Sequence, residues 1–245
     1  MKTQSKPRNK LRTILCTVTL LICILSLATI SILYAKNITP QQLLSSIGII
    51  PEQKVTNYTL LSWENSLKQL QYDADIVFIG DSLTNGENFQ EYYKNQKILN
   101  LGLSGDSLQG IHKRSAIISH FAPKKIFIQG GINNLAGDNI DNLIKLYDAM
   151  INEIVANNPS AKIYIQGILP ISNAKQTKGR TNENICKLNK QLCSIADKYK
   201  LTYIDLFPLY ELSGEMNPEY TTDGIHLKDE YKYLWLEALY QYINN

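Results

Sequence analysis

Five short apolar runs, at residues 76–79, 98–101, 126–129, 163–166 and 203–204, place the tightest limit on what this chain can fold into. The first, Ile76-Val77-Phe78-Ile79, is β-branched or aromatic throughout with no alternation, the pattern of a strand covered on both faces of a parallel sheet. Between the runs lie amphipathic stretches, at 60–70, 108–120, 139–157, 184–199 and 228–243. In the clearest of them Ile140, Leu143, Ile144, Tyr147, Ile151, Ile154 and Val155 recur at three- and four-residue steps, one stripe of a helix laid on a sheet. Strand, helix and strand repeated with short connections require right-handed crossovers. The expected class is therefore α/β, a three-layer α/β/α sandwich on a five-stranded parallel sheet. No internal repeat, phosphate-cradling glycine loop or dinucleotide fingerprint interrupts the pattern.

Ahead of this domain, residues 13–35 carry no charge, and as a helix they are long enough to cross a hydrocarbon layer of about 30 Å. Lys2, Lys6, Arg8, Lys10 and Arg12 precede the run with no acidic residue among them, so the positive-inside rule holds the N-terminus in the cytoplasm and sends the rest outward. The expected organisation is a cytoplasmic basic tail (1–12), a transmembrane signal-anchor or signal peptide (13–35), a stalk containing Pro40 and Pro51 (36–57) and a globular domain (58–245). Cleavage after Ala28 or Ala35 would release a secreted form. The run exceeds the usual core of a signal peptide, which favours a single-pass membrane anchor. Ile22 before Cys23 rules out a lipobox.

The net charge of +3 includes the five leading cations, so the remainder is net negative and no nucleic-acid partner is expected. Cys16 and Cys23 lie in the apolar run. Cys186 and Cys193, seven apart in a helical pattern, stand about 10 Å from each other, too far for a disulfide. Export without disulfides fits the outside of a bacterium with one membrane. Asn37 and Asn57 occupy sequons that matter only in a eukaryotic host.

The polar residues gather where the apolar runs stop. The first run ends in "GDSL" (80–83), the second in "NLGLSGDS" (100–107) and the third in "QGGINNL" (129–135), while "TTDGIHL" (221–227) follows the last. Parallel topology brings all four to one sheet edge. Together they offer a hydroxyl, a base, a carboxylate to orient it and donors for an oxyanion, the parts acyl transfer needs. Of His112, His120 and His226, only His226 has a carboxylate three residues before it in a glycine-containing loop.

In these blocks, over residues 76–243, the chain resembles the SGNH hydrolases, also called GDSL esterases and lipases, whose flavodoxin-like fold is the sandwich expected above. The resemblance implies that Ser82 is the nucleophile, that His226 deprotonates it and that Asp223 holds the imidazole. It implies that the Ser82 and Gly105 N–H groups and the Asn133 amide form the oxyanion hole. No cofactor and no metal enter this chemistry, and no cluster here has metal-ligand spacing. Where many members have Asn-Asp in the third block, this chain has Asn133-Asn134, which removes a carboxylate that could brace the loop. The absence of Gly-x-Ser-x-Gly around Ser82 argues against an α/β-hydrolase elbow.

Other polar and aromatic residues have simpler explanations. Asp106 is expected to cap the following helix, His112 and His120 to face solvent or pack, and Trp63 and Trp235 to lie in the core. No long apolar insertion between the blocks can form a lid or acyl tunnel, so a short acyl group on a polar molecule fits best. The segments around the blocks resemble sialate or polysaccharide O-acetylesterases of the family. The expected partners are a glycan or small-molecule ester and, through the N-terminal helix, the membrane. A lysophospholipase or short-chain acyl esterase and a membrane-tethered O-acyltransferase acting on cell-wall glycan are the alternatives. Oligomeric state is left open.

Overall fold

The computed structural model describes residues 65–68, 73–137 and 139–244. The expected tail, membrane segment and stalk lie outside them, as do Cys16, Cys23, Asn37, Asn57 and Trp63; of the predicted 60–70 helix, residues 65–68 are described and are helical. Among the described residues no helix is long and apolar enough to cross a membrane.

The five runs form strands β1 (Ile76–Gly80), β2 (Ile98–Gly102), β3 (Lys125–Ile128), β4 (Lys162–Gln166) and β5 (Thr202–Ile204). They pair in the order β2-β1-β3-β4-β5, all parallel. This is the doubly wound order whose direction of winding reverses between β1 and β3, so a crevice opens beyond the carboxyl ends of those two strands. Ser82 follows β1, and Asn133 lies five residues after the end of β3.

Period-two geometry sorts the strand residues into two cores. Val77, Ile79, Ile126, Ile128, Ile163 and Ile165 join an aliphatic core with α3 (Leu108–Ser115), α4 (Ile140–Asn157) and α5 (Asn182–Tyr199). Ile76, Phe78, Phe127 and Tyr164 point the other way, against α1 (Ser82–Asn85), α2 (Phe89–Tyr92) and α7 (Tyr233–Asn244). There the register pairs Phe78 with Phe127 and Phe127 with Tyr164, stacking their rings at 4.7 and 4.5 Å. Phe89 adds a ring at 3.6 Å from Phe78, and Trp235 meets Phe89 edge-on. Trp235 is fully buried with Nε1 donating to Gln166 Oε1 at 2.6 Å, the packing role expected of it.

The stripe on α4 buries Leu143, Tyr147, Ile151 and Ile154, together with Met150. Each such side chain contributes about 1.5–3 kcal/mol, so a charge at Ile151 would detach the helix from the sheet. The predicted 108–120 helix changes at Ser115 to a 3₁₀ turn, Ala116–Phe121, and closes at Ala122 because Pro123 bars continuation. The 228–243 segment likewise begins with a 3₁₀ turn, Asp229–Tyr231, before α7. Helices α2 and α6 (Phe207–Tyr210) and the hairpin β6 (Glu211–Leu212) with β7 (Glu215–Met216) have no counterpart among the sequence expectations. Each is too short to display a period. Cys186 and Cys193 are free thiols.

Candidate active site

β1 passes into α1 without a loop. Asp81 caps the helix, its Oδ1 accepting the Leu83 N–H at 3.1 Å, which leaves Ser82 as the first helical residue. Ser82 Oγ lies 2.9 Å from His226 Nε2, and His226 Nδ1 lies 2.7 Å from Asp223 Oδ2. With Nδ1–H donated to the carboxylate, Nε2 is left to accept the serine hydroxyl. Local bonds hold the Asp223–His226 turn. Asp223 Oδ1 accepts the backbone N–H groups of Ile225 (2.9 Å) and His226 (2.8 Å), and Thr221 Oγ1 donates to the His226 carbonyl at 2.7 Å. Partial burial opposes ionisation of Asp223, but the bonds from the imidazole and the two backbone donors outweigh it and hold the carboxyl below its usual range. Both side chains stay nearly half exposed, within reach of a dissolved substrate.

Two of the three expected oxyanion donors are open. Neither the Ser82 nor the Gly105 N–H donates a hydrogen bond among the described residues. Gly105 takes φ +73°, a backbone shape that suits glycine. The third donor, Asn133 Nδ2, spends one hydrogen on the Asp106 carbonyl at 2.9 Å, which keeps the amide against the same loop and leaves its other hydrogen available. The β2 loop in turn abuts the nucleophile helix. Leu103 N–H donates to the Gly80 carbonyl at 3.1 Å, and Asn85 Nδ2 to Ser104 Oγ at 3.3 Å.

Beneath this loop lies a residue the sequence reading passed over. Arg114 has no solvent exposure. Its Nε and Nη2 both donate to Asp106 Oδ2 (2.8 and 2.6 Å), Nη1 to the Leu101 carbonyl (2.8 Å) and Nη2 to the Gly80 carbonyl (3.2 Å). One guanidinium thus ties the ends of β1 and β2 to the residue that follows Gly105. Asp106 is therefore not the helix cap expected of it. Ser107 caps α3, accepting the Gly110 N–H at 3.2 Å, while Asp106 turns inward to the arginine. The close approach needs Gly110, because a Cβ there would stand 1.8 Å from Asp106 Oδ1. In the sequence Arg114 falls three residues after Ile111 and six after Leu108, on the apolar stripe rather than opposite it, which was the signal to read.

Asn134 also departs from expectation. The missing carboxylate does not leave the loop unbraced, since Asn134 Oδ1 accepts the Leu108 N–H and Nδ2 donates to Gln109 Oε1, both at 2.7 Å. Tyr147, from α4, steadies the preceding turn by donating to the Gly130 carbonyl at 3.0 Å. His112 and His120 stand apart from the site: His112 pairs with Glu153 at 2.8 Å, and His120 packs edge-on against Phe121. Among the described residues no group of three or more His, Cys, Asp or Glu could hold a metal ion.

Residues 78–231 match the GDSL-like lipase/acylhydrolase family. The fold is similar to that of a Streptococcus pneumonia protein (24% identity over 76% of this chain and 92% of that one, TM-score 0.67). It is similar also to a GDSL-like lipase from Bacteroides thetaiotaomicron (21%, 78% and 98%, TM-score 0.65). An acetyl xylan esterase, AlAXEase, shares it at 18% identity (69% and 98%, TM-score 0.59). No curated protein matches the chain in sequence. These identities speak to the fold alone, whereas the family match takes in every block from "GDSL" to "DGIH". The chain belongs to the GDSL-like lipase/acylhydrolase family, the SGNH hydrolases, and is a serine hydrolase of the esterase class.

Proposed function

We propose that this chain is an extracytoplasmic serine esterase that removes short acyl groups, acetyl foremost, from a carbohydrate through an acyl-enzyme on Ser82. The observation that carries the reading is the hydrogen-bonded series Ser82 Oγ, His226 Nε2, Nδ1 and Asp223 Oδ2 at 2.9 and 2.7 Å. Ser82 Oγ attacks the ester carbonyl carbon as His226 takes its proton. The carbonyl oxygen becomes an oxyanion, which the Ser82 and Gly105 N–H groups and the Asn133 amide stabilise in this reading. Collapse breaks the ester bond, and His226 passes the proton to the departing sugar hydroxyl. Water, deprotonated by His226, then attacks the acyl-serine and releases the carboxylic acid.

Three features support the finer reading. The blocks enclose no apolar insertion that could form a lid. A fold neighbour is an acetyl xylan esterase. The basic residues before the uncharged 13–35 run orient the domain outward on an N-terminal membrane anchor. Initial rates of the soluble 58–245 fragment on p-nitrophenyl esters of increasing chain length, beside acetate release from acetylated sugars, test the proposal. A steep preference for acetyl, lost in Ser82→Ala, is the expected result. A rate that climbs with acyl length would contradict it and favour a lipid ester.

A further inference from the structure

A cavity of about 500 Å³ lies behind the nucleophile helix, walled on one side by residues 86–94 and on the other by residues 229–236. Its two walls begin a few residues along the chain from Ser82 and His226, neither of which lines it. Gly86, whose N–H donates to the Ser82 carbonyl at 3.0 Å, starts one wall about 6 Å from Ser82 along the helix axis. Asp229, three residues after His226, starts the other.

The lining is mixed in a particular way. Tyr92 and Tyr233 contribute rings that are 38% and 51% exposed. Lys232 bridges the walls, its Nζ donating to the Gly86 carbonyl at 2.7 Å and pairing with Asp229 at 2.8 Å. Glu87 is only 6% exposed, lines the cavity, and its carboxylate takes no hydrogen bond among the described residues. Burial raises that carboxyl to about 7 against the opposing pull of Lys232. A largely buried carboxyl that lines a ligand-sized space beside a lysine is a polar group a ligand can reach.

From these features we infer that the cavity is a subsite for the polyhydroxylated part of the substrate, with Glu87 accepting sugar hydroxyls, Lys232 donating to them and the Tyr233 ring covering a C–H face. The inference rests on the carbohydrate reading above and names where the sugar sits. With the Glu87 carboxyl raised to about 7, Glu91 and Asp229 balance Lys94 and Lys232, so the lining carries little net charge and suits a neutral ligand. Exposed tyrosines beside fixed donors and acceptors suit a neutral sugar, which has hydroxyl edges and apolar faces.

The test compares kcat/KM for O-acetylated xylotetraose and O-acetylated chitotetraose with kcat/KM for p-nitrophenyl acetate, in the full chain and in Glu87→Gln, Tyr233→Ala and Tyr240→Ala. Tyr240 is exposed on α7 but does not line the cavity. The oligosaccharide-to-nitrophenyl ratio should fall about tenfold in Glu87→Gln and in Tyr233→Ala, mainly through KM, and hold in Tyr240→Ala. Glu87→Gln keeps the shape of the side chain, and thermal melts identify a variant that fails to fold. An unchanged ratio in both folded cavity variants, with the wild-type chain still releasing acetate from an oligosaccharide, would overturn the subsite and leave the carbohydrate reading standing. No acetate from either oligosaccharide while p-nitrophenyl acetate is cleaved would overturn both.

Discussion

The loop after β2 and the loop carrying Asp223 and His226 reach the same sheet edge, yet they are held by different means. The first is bolted from below by Arg114, a buried guanidinium that donates to Asp106 and to the carbonyls closing β1 and β2. The second is held by short-range turns, Asp223 accepting N–H groups two and three residues on and Thr221 bonding to the His226 carbonyl, with the Asp223 and His226 side chains nearly half exposed. The roles proposed for the two loops account for the difference. Oxyanion donors stabilise charge in proportion to how little they must move, so a rigid buried anchor serves them. A general base has to exchange a proton with substrate and water, so it needs access, and local bonds are enough to set its tautomer.

Removing the Ser82 hydroxyl on α1 or the exposed Asp223 carboxylate should strike activity alone. Ser82→Ala and Asp223→Asn should each lower kcat for p-nitrophenyl acetate by about 10,000-fold while melting with the wild type, as steady-state rates and thermal denaturation would show. Removing the buried half should strike both. Arg114→Met strands the Asp106 carboxylate and should cost about 3–5 kcal/mol in urea unfolding along with a fall in kcat. Adding Asp106→Asn should recover part of the stability, because the uncompensated charge is gone. Asn133→Ala, at the seam between the halves, should lower kcat by about 100- to 1,000-fold, with KM nearly unchanged in the same assay.

A smaller effect concerns Asp81, the cap that positions Ser82. Its Oδ2 is buried without a hydrogen-bond partner among the described residues, and burial raises the carboxyl from 3.8 to about 6. The folded chain therefore holds this proton at pH values where the unfolded chain has lost it, so this contribution to stability is present below pH 3.8 and is lost as pH rises to about 6. Asparagine caps a helix equally well and carries no charge. The stability of Asp81→Asn relative to wild type should accordingly grow between pH 4 and pH 7, measured by thermal melts across that range.

Features that depend on neighbours in sequence were legible there. The apolar runs, the "GDSL" hand-over and the Asp223-x-x-His226 spacing are local, and the structure places Ser82, Asp223 and His226 in one hydrogen-bonded series. Features that depend on distant chain were not. Arg114 in an amphipathic helix reads as a solvated cation until the loop after β2 is laid against it, and Asp106 beside a helix start reads as a cap until Ser107 is seen to do that work. Asn134 reads in sequence as a lost charge, whereas two amide bonds to α3 brace the loop without charge. The Glu87 cavity arises from two segments more than a hundred residues apart, so no window of sequence contains it.

The most direct measurement is reaction of the folded chain with an alkyl fluorophosphonate, which adds covalently only to an activated serine, followed by intact-mass and peptide mass spectrometry. One adduct per chain, mapped to Ser82, absent in Ser82→Ala and formed far more slowly in His226→Ala, is the predicted result. A chain that hydrolyses esters yet takes no adduct, or takes it on another residue, would contradict the assignment of Ser82 as the nucleophile.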